Sequence, residues 1–176
     1  IKQKDKFQEI TFVTATDGNH GRAVAWAAQK FGCEAVVYMP NGSSPTRLEA
    51  IKQYGAQAFI TEGNYDDTVD YAKKTSQTNG WILLQDTAWD GYEKIPLDIM
   101  QGYFTLVTEF LEDEKEIWPT HVFVQAGVGS LAASVLANLY SYADKKQPIF
   151  IVVEPFGAPC LYDSLKLNNG KSYKVE

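Results

Sequence analysis

Thr16-Asp17-Gly18-Asn19-His20-Gly21 stands between an apolar run, Ile10 to Thr14, and a helix-like run, Arg22 to Phe31. That order reads as a strand, a glycine-punctuated turn and a helix whose first amides meet the turn. A helix N-terminus attracts anions, and glycines let the backbone approach a ligand closely. The stretch is therefore a candidate cofactor or substrate loop. It also sets the rhythm for the rest of the chain.

Outward from the loop, the helix that begins near Gly21 is expected to stop at Gly32. Ala35–Met39 reads as a strand closed by Pro40-Asn41-Gly42, and Ser44 with Pro45 opens a helix to Tyr54, before Gly55. Gln57–Thr61 is the next strand, Asn64 or Asp66 caps a helix through Ser76, and Trp81–Leu84 is a fourth strand. A long turn from Asp86 to Lys94 leads into a helix from about Pro96 to Leu111. His121–Gln125 then reads as a strand, Gly127–Ser130 as a glycine loop, Leu131–Ala143 as a helix and Ile149–Val153 as a last strand. Strands alternating with helices at this spacing predict βαβ units: an α/β fold in three αβα layers, with open, mostly parallel sheets. Right-handed crossovers bring the loops after the strands to one rim of each sheet, and both glycine loops follow strands. The helix after Pro96 is the expected crossing between two parts. Residues 10–94 would be a small, mobile domain carrying the first loop, and 95–176 a crossover helix and part of a larger domain carrying the second.

The 176 residues are 45% hydrophobic and 13% aromatic, enough for packed cores rather than disorder. The net charge of −6, without a basic stripe, argues against a nucleic-acid partner. No apolar run approaches the length of a membrane span. Cys33 and Cys160 are too few for a disulfide scaffold and lack metal-ligand spacing, so reduced thiols, a cytoplasmic location and no metal are expected. The chain opens at Ile1 without an initiator methionine and closes on a polar run from Asn168 to Tyr173, which reads as an internal piece of a longer enzyme.

The second glycine loop is Gln125-Ala126-Gly127-Val128-Gly129-Ser130-Leu131. It follows a strand and opens a helix, the setting in which backbone amides cradle a phosphate. It is neither a Walker loop, since no Gly-Lys-Ser/Thr follows, nor a dinucleotide fingerprint, since the third glycine is missing. Alone, it is equally a tight turn without a ligand.

Together the two loops resemble those of the fold-type II pyridoxal-phosphate enzymes, the family of threonine dehydratase, cysteine synthase and the tryptophan synthase β chain. The resemblance implies that Asn19 contacts the 3-oxygen of the cofactor's pyridine ring, and that Gly127, Val128, Gly129 and Ser130 hold its phosphate. The longer words Thr16 to Trp26, Gln85 to Tyr92, and Ile95-Pro96 with Ile99-Met100-Gln101-Gly102-Tyr103 are similar to an ammonia-lyase branch of that family, which acts on a 2,3-diamino acid. This likeness runs from about Phe12 to Cys160. It implies pyridoxal 5'-phosphate as cofactor, a small amino-acid substrate and a homodimeric full-length enzyme.

Chemistry then gives the departures meaning. Removing a proton from either face of an α-carbon requires a base on each face. Asp17, where related enzymes carry alanine or serine, is a candidate for the second base; its competing role is to cap the following helix. Asp86 is a candidate partner for the substrate's β-ammonium, or else an ordinary turn former with Asp90. Thr16 and the amides after it, with Gly18 and His20, are candidates for the substrate carboxylate, His20 being a loop hydrogen-bonder rather than a catalyst. His121 reads as structural, and Glu154 has a weak case for ligand contact. The lysine that anchors the family's cofactor is missing: Lys2, Lys4 and Lys6 lie too close to the loop and in the wrong context. The segment by itself is therefore expected to be inactive. Two other readings stay open, a threonine or serine dehydratase-like lyase and a non-catalytic module for a phosphorylated ligand.

Overall fold

The computed structural model describes residues 9–114, 117–142 and 144–167. The chain divides into two compact units between Gln85 and Asp86. The turn 86–93 thus groups with the second unit, not with the first as the sequence suggested.

The first unit runs β1 (Thr11–Ala15), α1 (Asn19–Phe31), β2 (Glu34–Met39), α2 (Pro45–Lys52), β3 (Gln57–Ile60), α3 (Tyr65–Asn79) and β4 (Ile82–Leu83). All pairings are parallel, in the order β3-β2-β1-β4. Parallel strands covered on both faces read as continuous apolar runs, and β1 and β2 do. On one face Val37 and Met39 pack with Val24, Ala25 and Ala28 of α1 and Ile51 of α2. On the other, Val13, Ala15, Val36 and Tyr38 pack with Ala72 of α3. The three-layer arrangement follows from that two-sided burial.

Local chemistry sets the ends of the helices. Gly32 (φ 76°) and Gly80 (φ 68°) stop α1 and α3 in the left-handed conformation. Asn64 rather than Asp66 caps α3: its side chain accepts from the Asp67 amide while the Asp67 carboxylate accepts from the Asn64 amide. Pro45 occupies the first position of α2, which needs no amide donor.

The second unit contains α4 (Lys94–Asp113), β5 (His121–Gln125), α5 (Ser130–Ser141), β6 (Ile149–Val153) and α6 (Cys160–Leu167). β5 and β6 pair in parallel, His121 opposite Ile149 through Gln125 opposite Val153. Val124, Ala126 and Ala132 form the core where α5 returns over this pair. The expected helix after Pro96 is α4, begun two residues earlier, and Asn138 of α5 donates to its Phe104 carbonyl at 2.7 Å. Gly102 lies within α4, where an added Cβ would meet nothing within 4 Å. Gly102→Ala is expected to stabilise the second unit by roughly 0.5–1 kcal/mol, because alanine loses less backbone entropy in a helix. A denaturant midpoint that falls would show that α4 needs its glycine.

The short helix α6 has no counterpart in the sequence reading. Its amides are held from outside: Glu154 accepts from Leu161 through one carboxylate oxygen and from Tyr162 through the other, both at 2.8 Å. A carboxylate at a helix N-terminus is favoured by the exposed amides and the dipole. Glu154 is thus a helix-capping group here, with both oxygens engaged by the protein.

Candidate cofactor and substrate loops

The first loop grows out of the C-terminal end of β1. Thr16 continues the ladder by donating its amide to the Tyr38 carbonyl at 3.0 Å. Its side chain is buried, and its hydroxyl oxygen accepts from the amides of Gly18 (2.9 Å) and Gly21 (3.1 Å). These bonds replace an ordinary cap. Gly18 holds the N-cap position of α1 without any side-chain cap bond. Thr16 therefore builds the loop from within.

Gly18 adopts φ 150° and ψ −62°, a conformation open only to glycine. The missing Cβ also leaves room for Arg47 of α2, whose Cδ would lie 3.0 Å from it. Arg47 donates through Nη1 to the Asp17 carbonyl at 3.1 Å, so its stem covers Gly18 and its head fixes the Asp17 peptide. The Asp17 and Asn19 side chains are left exposed at the rim. His20 turns back toward the sheet and donates Nε2–H to the Leu84 carbonyl at 2.7 Å, which matches the loop hydrogen-bonding expected of it.

The second loop lies in the other unit, at the start of α5. Gly129 is the N-cap, left-handed at φ 94°, with no side-chain cap bond and no acid in the first turn behind it. Gly127 and Val128 are exposed. An uncapped helix start presented by a glycine loop fits a dianionic phosphate, both by its amide donors and by its dipole. Ser130 donates its hydroxyl to the Asp86 main-chain carbonyl at 2.7 Å. Ser130 and Asp86 are thus brought together, and the Asp86 turn is tied to the second glycine loop. Beside Asp86, the Thr87 hydroxyl oxygen is buried and has no hydrogen-bond partner among the described residues. A buried polar atom left in that state costs stability unless something else reaches it.

Tyr103 of α4 senses the same turn. Burial first, and then the charge of Asp86, push its phenol above the ordinary 10.0. The folded chain therefore holds that proton more tightly than the unfolded chain. The associated stability is complete below the ordinary value and is lost as pH rises through the raised one. Asp86→Asn removes the second cause and leaves burial, so part of the tyrosinate absorbance is expected to appear at lower pH in an alkaline titration. An unchanged titration curve would separate Asp86 from Tyr103.

His121 is exposed, and its Nδ1 lies 3.1 Å from the neighbouring Thr120 hydroxyl. Burial pushes the Cys33 thiol up from its ordinary value, toward the unreactive form. Among the described residues no group of three or more His, Cys, Asp or Glu is placed to hold a metal. No described helix is long and apolar enough to cross a membrane.

A family model described as pyridoxal-phosphate dependent enzyme matches residues 1–176. The chain belongs to that family. With membership goes its cofactor, pyridoxal 5'-phosphate. Diaminopropionate ammonia-lyase of Salmonella typhimurium is 53% identical over 98% of this chain and 43% of its own length. The crystal structure of the Escherichia coli diaminopropionate ammonia lyase in complex with D-serine superimposes with a TM-score of 0.89, at 46% identity, covering 98% of this chain and 45% of that one. A threonine dehydratase of Nicotiana attenuata is more distant, 30% identical over 93% of this chain and 25% of its own. The chain thus spans less than half the length of each of these three relatives. Membership of an enzyme family leaves the non-catalytic ligand module without support.

Three residues on or beside these loops are not singled out by the sequence reading. Arg47 gave no signal, because its partner lies thirty residues away on the chain and is a main-chain carbonyl. Thr87 is noticeable only once burial is known. Gln85 carried a signal in the sequence, since a glutamine closing an apolar strand is an unusual choice that invites a question about partners.

Proposed function

We propose that a chain of the relatives' length carrying these residues is a lyase that converts 2,3-diaminopropionate and water to pyruvate and two molecules of ammonia, accepting both the L and the D substrate. The observation that carries this reading is Asp17: an exposed carboxylate two residues before Asn19, on a loop where the Thr16 hydroxyl accepts from the Gly18 and Gly21 amides. The cofactor, when bound, supplies an electron sink for the charge left at the α-carbon.

This chain's residues take the other roles. Asn19 holds the ring 3-oxygen. Gly127, Val128, Gly129 and Ser130 hold the phosphate through their amides, since the Ser130 hydroxyl proton is directed to the Asp86 carbonyl. Asp17 accepts the α-proton of the D substrate, whereas the base for the L substrate comes from outside these residues. Asp86 partners the β-ammonium, which needs a counter-charge once it is desolvated. Gly18 and His20 line the place of the substrate carboxylate, and Thr16 shapes it from beneath. The reading carries with it a homodimer in the cytoplasm for the whole protein, as the family resemblance implies.

The test is pyruvate release from L- and D-2,3-diaminopropionate, threonine and serine by the full-length chain loaded with cofactor. Preference for the diamino acid is expected. Preference for threonine or serine would favour the dehydratase reading, which the Nicotiana attenuata relative keeps in play. The 176 residues alone are expected to release none, and measurable turnover by them would overturn the assignment of an outside lysine.

A further inference from the structure

β4 is only two residues long, and its backbone pairs with β1 at Phe12–Ile82 and Val13–Leu83. One more backbone bond follows, from the Leu84 amide to the Val13 carbonyl at 2.9 Å. A parallel ladder that continued would give the Ala15 amide the Leu84 carbonyl as its acceptor, but His20 already holds that carbonyl. Ala15 is fully buried, so its amide and carbonyl both require partners.

The Gln85 side chain supplies both. Its Oε1 accepts from the Ala15 amide at 3.0 Å, and its Nε2 donates to the Ala15 carbonyl at 3.1 Å. This is a side-chain amide standing in for the peptide of a missing strand residue. The rest of the group is also engaged: Thr14 Oγ1 lies 3.1 Å from Oε1, and Nε2 donates to the Tyr65 hydroxyl at 3.1 Å. Gln85 itself is 0% exposed. With both lone pairs and both N–H groups matched, only one orientation of the amide satisfies the site, and no other side chain offers this donor and acceptor set at this length.

We propose that Gln85 is the positioning residue of the asparagine loop. Its amide adds a final rung to β1, so the strand stays registered up to the residue before Thr16 while the main chain is released from the sheet after Leu84. The loop carrying Asp17 and Asn19 is thereby aimed by a residue that touches neither substrate nor cofactor. The proposal rests on the reading of Asp17 as the base for the D substrate. Loss of the rung displaces Asp17, two residues beyond Ala15, whereas the base for the L substrate stands elsewhere. The Asn19 contact serves both hands and cancels in their ratio.

Gln85→Met keeps the length and burial but removes every bond; Gln85→Glu keeps an acceptor for the Ala15 amide and loses the donor to its carbonyl, and serves if the Met variant does not fold. Two measurements decide. Amide exchange at Ala15, followed without cofactor, is expected to quicken at least roughly tenfold. In the loaded full-length chain, the ratio of D to L turnover is expected to fall by about tenfold or more, as a small misplacement of a reacting group costs that much. The ratio does not depend on the fraction folded, so a merely structural glutamine leaves it unmoved. Faster exchange with an unchanged ratio overturns positioning, and unchanged exchange overturns the rung itself. A parent chain that turns over neither hand of diaminopropionate would instead refute the functional reading, and Ala15 exchange would then decide for or against the rung alone.

Discussion

Replacing Asp17 by asparagine in the full-length chain is expected to lower turnover of D-2,3-diaminopropionate by roughly 100- to 10,000-fold, the range that a positioned base contributes. L-turnover should change by less than about threefold, because it does not draw on this carboxylate. The asymmetry follows from the loop as built. Asp17 gives its main-chain carbonyl to Arg47, and that bond survives the substitution. The Thr16 hydroxyl accepts from the Gly18 and Gly21 amides, and asparagine at position 17 leaves those bonds in place. Separate steady-state constants for the two enantiomers check this. Equal loss for both would make Asp17 a part of the loop's architecture instead of a base.

Gly21→Ala is expected to destabilise the first unit by on the order of 3 kcal/mol, despite the gain that alanine brings to an ordinary helix position. An added Cβ would lie 2.4 Å from Thr16 Cγ2 and 2.7 Å from Val37 Cγ1. Both neighbours are β-branched, buried and stiff about χ1, so neither yields cheaply. Rotating Thr16 away would also break its bonds from Gly18 and Gly21, each worth about 1 kcal/mol. Thermal unfolding followed on the 176-residue chain should drop by several degrees per kcal/mol, about 4–8 °C for a unit of this size. A variant as stable as the parent would mean that α1 can lift from β1 without cost, and that the loop is looser than its packing indicates.

Much of this protein could be read from the order of its residues. The apolar runs at Ile10–Thr14 and Ala35–Met39 predicted buried parallel strands because two-sided burial leaves no polar face to encode. Gly32, Pro45 and Asn64 marked helix ends because the conformation or hydrogen bond each supplies is local. The asparagine loop and the Gly-Val-Gly-Ser loop were legible for the same reason: a turn that must expose amides cannot hide its glycines. The helix α6 was not legible, since its amides are satisfied by Glu154 from outside the helix and it buries no residue of its own.

The hydrogen-bond partners within the first loop were decided by tertiary structure. From sequence alone Thr16 looked like a substrate contact and Asp17 like either a cap or a base. Only the fold shows the Thr16 hydroxyl turned inward onto Gly18 and Gly21, and that arrangement depends on how closely Gly21 packs against Val37. Likewise Gln85 is one polar letter after a strand until β1 stands beside it with an amide and a carbonyl to fill. Periodicity and turn chemistry are properties of neighbours along the chain, and the sequence determined those. Which buried donor meets which acceptor across seventy residues is decided only when the sheet brings them together.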